Sequence, residues 1–181
     1  MRQDRLKYIE LSIIVIIVLC LVITTYRRNL VWRAGVSLWA DAVEKSPGKA
    51  RPHNNLGLAY CWDRAYPRAI FHLREALRFK PEWINPRYNL GIAYQGARLY
   101  DRAIAQYEKI LQKPSHPHSG HGSRTIRPYL AKVHNNLGVC YFAKGWHEKA
   151  VAEFQNSLRI NPDYADARYN LEMVLQRKNT K

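Results

Sequence analysis

The residues Asn-Leu-Gly, with a Tyr three places beyond the Gly, occur three times: Asn55, Leu56, Gly57 and Tyr60; Asn89, Leu90, Gly91 and Tyr94; Asn136, Leu137, Gly138 and Tyr141. Each Gly is followed at twelve positions by an Ala, pairing Gly57 with Ala69, Gly91 with Ala103 and Gly138 with Ala150. Self-similarity at a fixed period restricts a chain to stacks of one supersecondary unit, because a single unit cannot bury its apolar face alone. A scaffold of this kind is expected to act through contact surface rather than chemistry.

Aligned on the Gly and Ala, the units begin at residues 50, 84 and 131, with separations of 34 and 47; the excess of 13 is an insertion over residues 118–130. In the first unit Leu56, Gly57 and Tyr60, then Ala69, Leu73 and Ala76, follow the spacing of an apolar helical face, so each unit reads as two antiparallel helices. The Gly and Ala stand where larger side chains would hold neighbouring helices apart, and the tyrosines fill the space beside them. Pro81 and Pro162 close the first and third units.

A 34-residue unit carrying Leu-Gly, Tyr, Ala and a terminal Pro resembles the tetratricopeptide repeat, over residues 50 to the C-terminus. The match departs from that family at His53, Arg87 and His134, where Trp is frequent, and in unit two at Ile110 and Pro114. The resemblance implies an all-α fold, a right-handed α-solenoid of three full repeats at 50–83, 84–117 and 131–164, with partial capping helices. Trp39, Ala42 and Pro47 precede Leu73, Ala76 and Pro81 by 34, so residues 30–49 read as a lone second helix capping the start. Residues 165–181 repeat Arg87 to Leu90 as Arg168 to Leu171, then turn charged from Glu172, as a terminal cap does.

Ahead of the solenoid, residues 11–26 carry no charge and are mostly Ile, Val or Leu. As helix they measure about 24 Å, short of a hydrocarbon core of about 30 Å, and extension back to Leu6 is needed for one transmembrane helix within residues 1–29. The run is long for a signal peptide, and no small-x-small cleavage site follows it. The expected location is an inner or plasma membrane, single-pass. Three basic residues stand on either side (Arg2, Arg5, Lys7 and Arg27, Arg28, Arg33), so charge assigns no orientation. The stretch from Tyr26 through Trp32, Trp39 and Pro47 to Arg51 resembles the junction in protein O-mannosyltransferase-like membrane proteins that carry these repeats. That resemblance implies repeats in the periplasm or otherwise outside the cytoplasm, the alternative being a cytoplasmic solenoid.

The net charge is +15, and the basic excess runs through the repeats as well as the front segment. It suits an anionic membrane surface or an acidic protein or peptide partner. No specific nucleic acid is expected, because the aromatic residues fall at repeat-core positions instead of forming a stacking platform. In tetratricopeptide domains the first helices line a concave groove. The resemblance places Asn55, Asn89, Asn136 and Asn170 there as a ladder of amides able to bond the backbone of an extended ligand. Asn54, Tyr88 and Asn135 would support them, with Arg51, Asn85 and Lys132 at the rim.

The insertion and the residues just before it hold His116, His118 and His121 among Gly, Ser and Pro. Without nearby Cys or carboxylate, and on a loop that binding would have to order, they are not expected to hold a metal. Cys20, Cys61 and Cys140 read as small apolar fillers. No phosphate loop, His-Glu-x-x-His or nucleophile elbow is present, so neither enzyme nor cofactor is expected. The leading reading is a membrane-anchored scaffold for protein–protein or protein–peptide interaction. The alternatives are an assembly subunit of a larger membrane complex and an accessory of a glycosyltransferase system.

Overall fold

The structure, a computed structural model, describes residues 2–112 and 122–179, with side chains over 13–25, 35–112 and 129–177. Its helices are α1 (Arg2–Lys45), α2 (Ala50–Trp62), α3 (Tyr66–Phe79), α4 (Ile84–Gly96), α5 (Tyr100–Leu111), α6 (Gly122–Ala143), α7 (His147–Ile160) and α8 (Ala165–Asn179). The pairs α2 with α3, α4 with α5 and α6 with α7 are the three repeat hairpins, each packed on the next in a stack. The end of α1 and all of α8 cover the two open faces.

The first helix of each hairpin ends in the same way. Arg64, Arg98 and Gly145, at equivalent places, have φ of 57°, 60° and 78°. The residue after each sends its N–H back to a Tyr carbonyl: Ala65 to Tyr60 at 2.9 Å, Leu99 to Tyr94 at 2.8 Å and Trp146 to Tyr141 at 2.9 Å. This left-handed cap turns the chain into the second helix, at about 1–2 kcal/mol where the residue is Arg and not Gly. Pro67 stands at the start of α3, where the backbone N–H has no helical acceptor to lose.

The hairpins close on the Gly and Ala. A Cβ on Gly57 would lie 2.6 Å from Leu73 Cγ, and one on Gly138 would lie 2.7 Å from Phe154 Cε1; on Gly91 it would fall inside the Tyr107 ring. Leu73, Tyr107 and Phe154 share one repeat position and are 0–1% exposed, with Ala69, Ala103 and Ala150 buried beside them. Helix pairs at this spacing interdigitate at crystal-like density.

The repeat position where Trp is frequent does a different job in units one and two and in the cap, while its copy in unit three, His134, pairs with Glu153. His53 Nε2 donates to Pro47 O at 3.0 Å, Arg87 Nη2 to Pro81 O at 2.6 Å and Arg168 Nη2 to Pro162 O at 3.0 Å. Each clips the first turn of one unit to the proline-containing turn that ends the unit before it.

Two boundaries differ from expectation. Residues 30–45 are continuous with the apolar segment in the single helix α1. The helix α6 starts at Gly122, so the latter part of the insertion prolongs unit three backwards instead of forming a loop. His116, His118 and His121 lie outside the described residues.

The transmembrane expectation is corrected. Among the described residues, no helix is long and apolar enough to cross a membrane. Among the described side chains of α1, the exposed large apolar ones lie from Ile13 to Ile23 and at Leu38. The extension to Leu6 that a crossing required falls on residues whose side chains lie outside the description. The single-pass membrane localisation, and the placement of the repeats beyond a membrane, fall with it.

Candidate functional site

Side by side, α2, α4 and α6 form one face of the stack, opposite the face made by α3, α5 and α7. Between them lies a groove of 530 Å³. Its floor is a ladder the sequence reading did not name: Leu58, Ile92 and Val139, the residue after each repeat Gly. One turn on stand Trp62, Gly96 and Ala143, again equivalent positions. Trp62 is 61% exposed. Where Trp62 projects, the next two units carry almost no side chain, so the groove is bounded by an indole at one end and open beyond it. Tyr66 and Tyr100, at the starts of α3 and α5, complete the wall.

Two polar groups enter this apolar lining, Gln95 and Asn136. Tyr107 donates its hydroxyl to Gln95 Oε1 at 3.1 Å, and Cys140 Sγ lies 3.7 Å from the same oxygen. Asn136 Nδ2 donates to the hydroxyls of Tyr88 at 3.2 Å and Tyr107 at 3.5 Å. Burial pushes the Tyr107 hydroxyl well above the ordinary phenol range, so it stays a neutral donor.

The asparagines form internal wiring. Asn89 Nδ2 donates to Asn54 Oδ1 at 3.0 Å, and Asn54 Nδ2 to Asn55 Oδ1 at 3.0 Å. At the far end Asn170 Nδ2 donates to Asn135 Oδ1 at 2.9 Å and Asn135 Nδ2 to Asn136 Oδ1 at 3.3 Å. Tyr88 replaces the corresponding Asn in unit two and receives Asn136, so one chain of amides runs from the cap through unit three into unit two. Asn54, Asn89 and Asn135 are buried; Asn55, Asn136 and Asn170 are half-buried; of the four ladder positions only Asn136 lines the groove. Arg51, Asn85 and Lys132 are exposed.

The cysteines are free, and burial pushes the thiols of Cys61 and Cys140 up to about 12, far from a reactive thiolate. Among the described residues, no group of three or more His, Cys, Asp or Glu is placed to hold a metal ion.

Unit one contains a histidine pair. His53 uses Nε2–H on Pro47 O, which leaves its Nδ1 to accept from His72 Nδ1–H at 3.1 Å. Burial, then the neighbouring His53, hold His72 below its ordinary value of 6.5, with Glu75 opposing. The folded chain therefore binds fewer protons at this site than the unfolded chain does. Its contribution to stability is complete above about pH 6.5, declines as pH falls below that value, and levels off under the folded pKa. A series of melting temperatures between pH 7.5 and 5 should decline on this account, and His72→Gln, which installs the residue that unit two has as Gln106, should flatten the decline. An unchanged slope in that variant would assign the dependence elsewhere.

Residues 131–164, the third unit, match the family model for the tetratricopeptide repeat. No curated protein matches the chain significantly. Among solved structures, the chain is similar to Pseudomonas aeruginosa pilF, with a TM-score of 0.70 and 19% identity over 86% of this chain and 65% of that one, so it spans less than two thirds of pilF. It is similar to MamA from Desulfovibrio magneticus RS-1, with a TM-score of 0.68 and 17% identity over 84% of this chain and 78% of that one. A third similarity is to the first tetratricopeptide domain of human RPAP3, with a TM-score of 0.61 and 18% identity over 75% and 96% of the two chains. These likenesses concern the fold and lend no support to the mannosyltransferase-like junction. The chain thus has the fold of tetratricopeptide-repeat structures, and its third unit matches the sequence model of that repeat.

Proposed function

We propose that the chain is a scaffold for protein–protein interaction whose groove takes up a short segment of a partner bearing apolar side chains. The observation that carries this reading is the ladder of Leu58, Ile92 and Val139 beside the projecting Trp62. An apolar trough with few polar points fits a peptide whose side chains dock while Gln95 and Asn136 meet its backbone. The rim residues Arg51, Asn85 and Lys132 stand at equivalent exposed positions and would meet polar or acidic flanks of the same segment. No chemistry is required of any residue. The role is to hold.

Selection of displayed dodecapeptides on the full chain should return sequences with two or three apolar residues. Trp62→Ala, which alters an exposed side chain, should weaken them by roughly thirtyfold, the loss of a hot-spot aromatic worth about 2 kcal/mol. Val139→Arg should weaken them comparably by placing a charge on the floor. Peptides that bind both variants as well as the parent chain would remove the groove from consideration.

A further inference from the structure

The opposite face carries a second cleft, 510 Å³, between α3 and α5, with Leu77, Leu90 and Tyr94 as its floor and Arg74, Arg78, Arg102 and Gln106 around it. The equivalent place between α5 and α7 keeps the Tyr, as Tyr141, and the Leu pair, as Leu111 and Leu137, but differs at four positions: Glu108 for Arg74, Gln112 for Arg78, Lys149 for Arg102 and Glu153, held by His134, for Gln106. Tyr141 donates its hydroxyl to Glu108 Oε1 at 3.1 Å. A cation sits on each Tyr: Lys149 Nζ is 5.5 Å from the Tyr141 ring and Arg102 Cζ is 6.0 Å from the Tyr94 ring. The later place thus contains its own carboxylate, received by a hydroxyl and a nearby cation. In the earlier cleft the carboxylate is missing, replaced by a further guanidinium. Among the described residues, the Tyr94 hydroxyl has no hydrogen-bond partner and Arg74 no ion-pair partner, whereas Arg78 is held by Glu75 at 2.7 Å.

We infer that the cleft between α3 and α5 docks an acidic segment of a partner protein, one of whose carboxylates takes the place beside Tyr94 that Glu108 holds beside Tyr141. Arg74 and Arg102 neutralise it, the Tyr94 hydroxyl donates to it, and Leu77 packs against its methylenes. The chain's net charge of +15 steers such a segment towards the surface, and the cleft gives it a register. This site is separate from the groove, on the other face of the stack.

The test uses the full chain and a fluorescein-labelled peptide of alternating Glu and Leu, compared with the same peptide carrying Gln for Glu, at about 0.15 M salt. The Glu peptide should bind and the Gln peptide should not. Arg74→Glu supplies the missing carboxylate from within and should reduce binding by tenfold or more, on the order expected for losing a charge-assisted bond and adding a repulsion. Arg102→Gln should cost about tenfold and Tyr94→Phe a few-fold. Arg159→Glu, on the exposed surface of α7, makes the same change in net charge and should cost much less. Far-ultraviolet circular dichroism establishes that each variant is folded. Equal losses in Arg74→Glu and Arg159→Glu, binding of the Gln peptide, or no binding to the parent chain would each overturn the assignment.

Discussion

Phe154→Ala is expected to lower the unfolding free energy by about 3–5 kcal/mol, the range for removing a fully buried aromatic ring from a core that cannot close over the gap. Phe154 is 1% exposed and lies against Gly138, whose lack of a side chain is what admits the ring. On the same helix Ser157 donates to Ala131 O at 2.7 Å, so the backbone on both sides of the ring is tethered and little able to collapse. In a stack, stability is approximately a sum of unit terms and nearest-neighbour interfaces. The loss should therefore concentrate in unit three and the α8 cap. Urea denaturation followed by circular dichroism should show the destabilisation, and amide exchange should show α6, α7 and α8 opening before α3 and α4. A loss below about 1 kcal/mol, or uniform exchange, would contradict this account of the core.

The sequence made the hairpins legible because packing imposes identity. Each junction needs the same small residue against the same large one, so Gly57, Gly91 and Gly138 and their Ala partners recur at fixed spacing. The recurrence of the asparagines also has a packing cause, because two junctions use the same amide bond, Asn89 to Asn54 and Asn170 to Asn135, and the junction between units two and three uses Asn136 to the Tyr88 hydroxyl. The groove positions vary among units, Leu58, Ile92 and Val139 in one row and Trp62, Gly96 and Ala143 in the next. The signal was present as the residue following each Gly. The continuity of α1 and the early start of α6 were not legible. Composition marks where a helix is weakly favoured, whereas nothing local opposed its continuation through residues 30–45 or its start at Gly122.

Gly91→Val should show how little room these junctions leave. A glycine inside a helix costs about 1 kcal/mol against Ala, so on propensity alone the replacement would be slightly stabilising. The opposing effect is larger. The new Cβ would fall inside the Tyr107 ring, which is fully buried and held through its hydroxyl by Gln95 and Asn136, so the ring cannot swing aside without breaking both bonds. Overpacking of this kind costs about 1–3 kcal/mol, and the tethered ring places Gly91→Val at the upper end. The diagnosis is separable from a general intolerance of valine in α4 by a double-mutant cycle. In a Tyr107→Ala background the space is vacated and the cost of Gly91→Val should vanish or reverse, giving a coupling of about 2 kcal/mol between the two positions. Additive effects would mean that the ring is not what excludes a side chain. Because Tyr107 also positions Gln95 and Asn136 at the groove, Gly91→Val should weaken groove-bound peptides even under conditions where the variant remains fully folded.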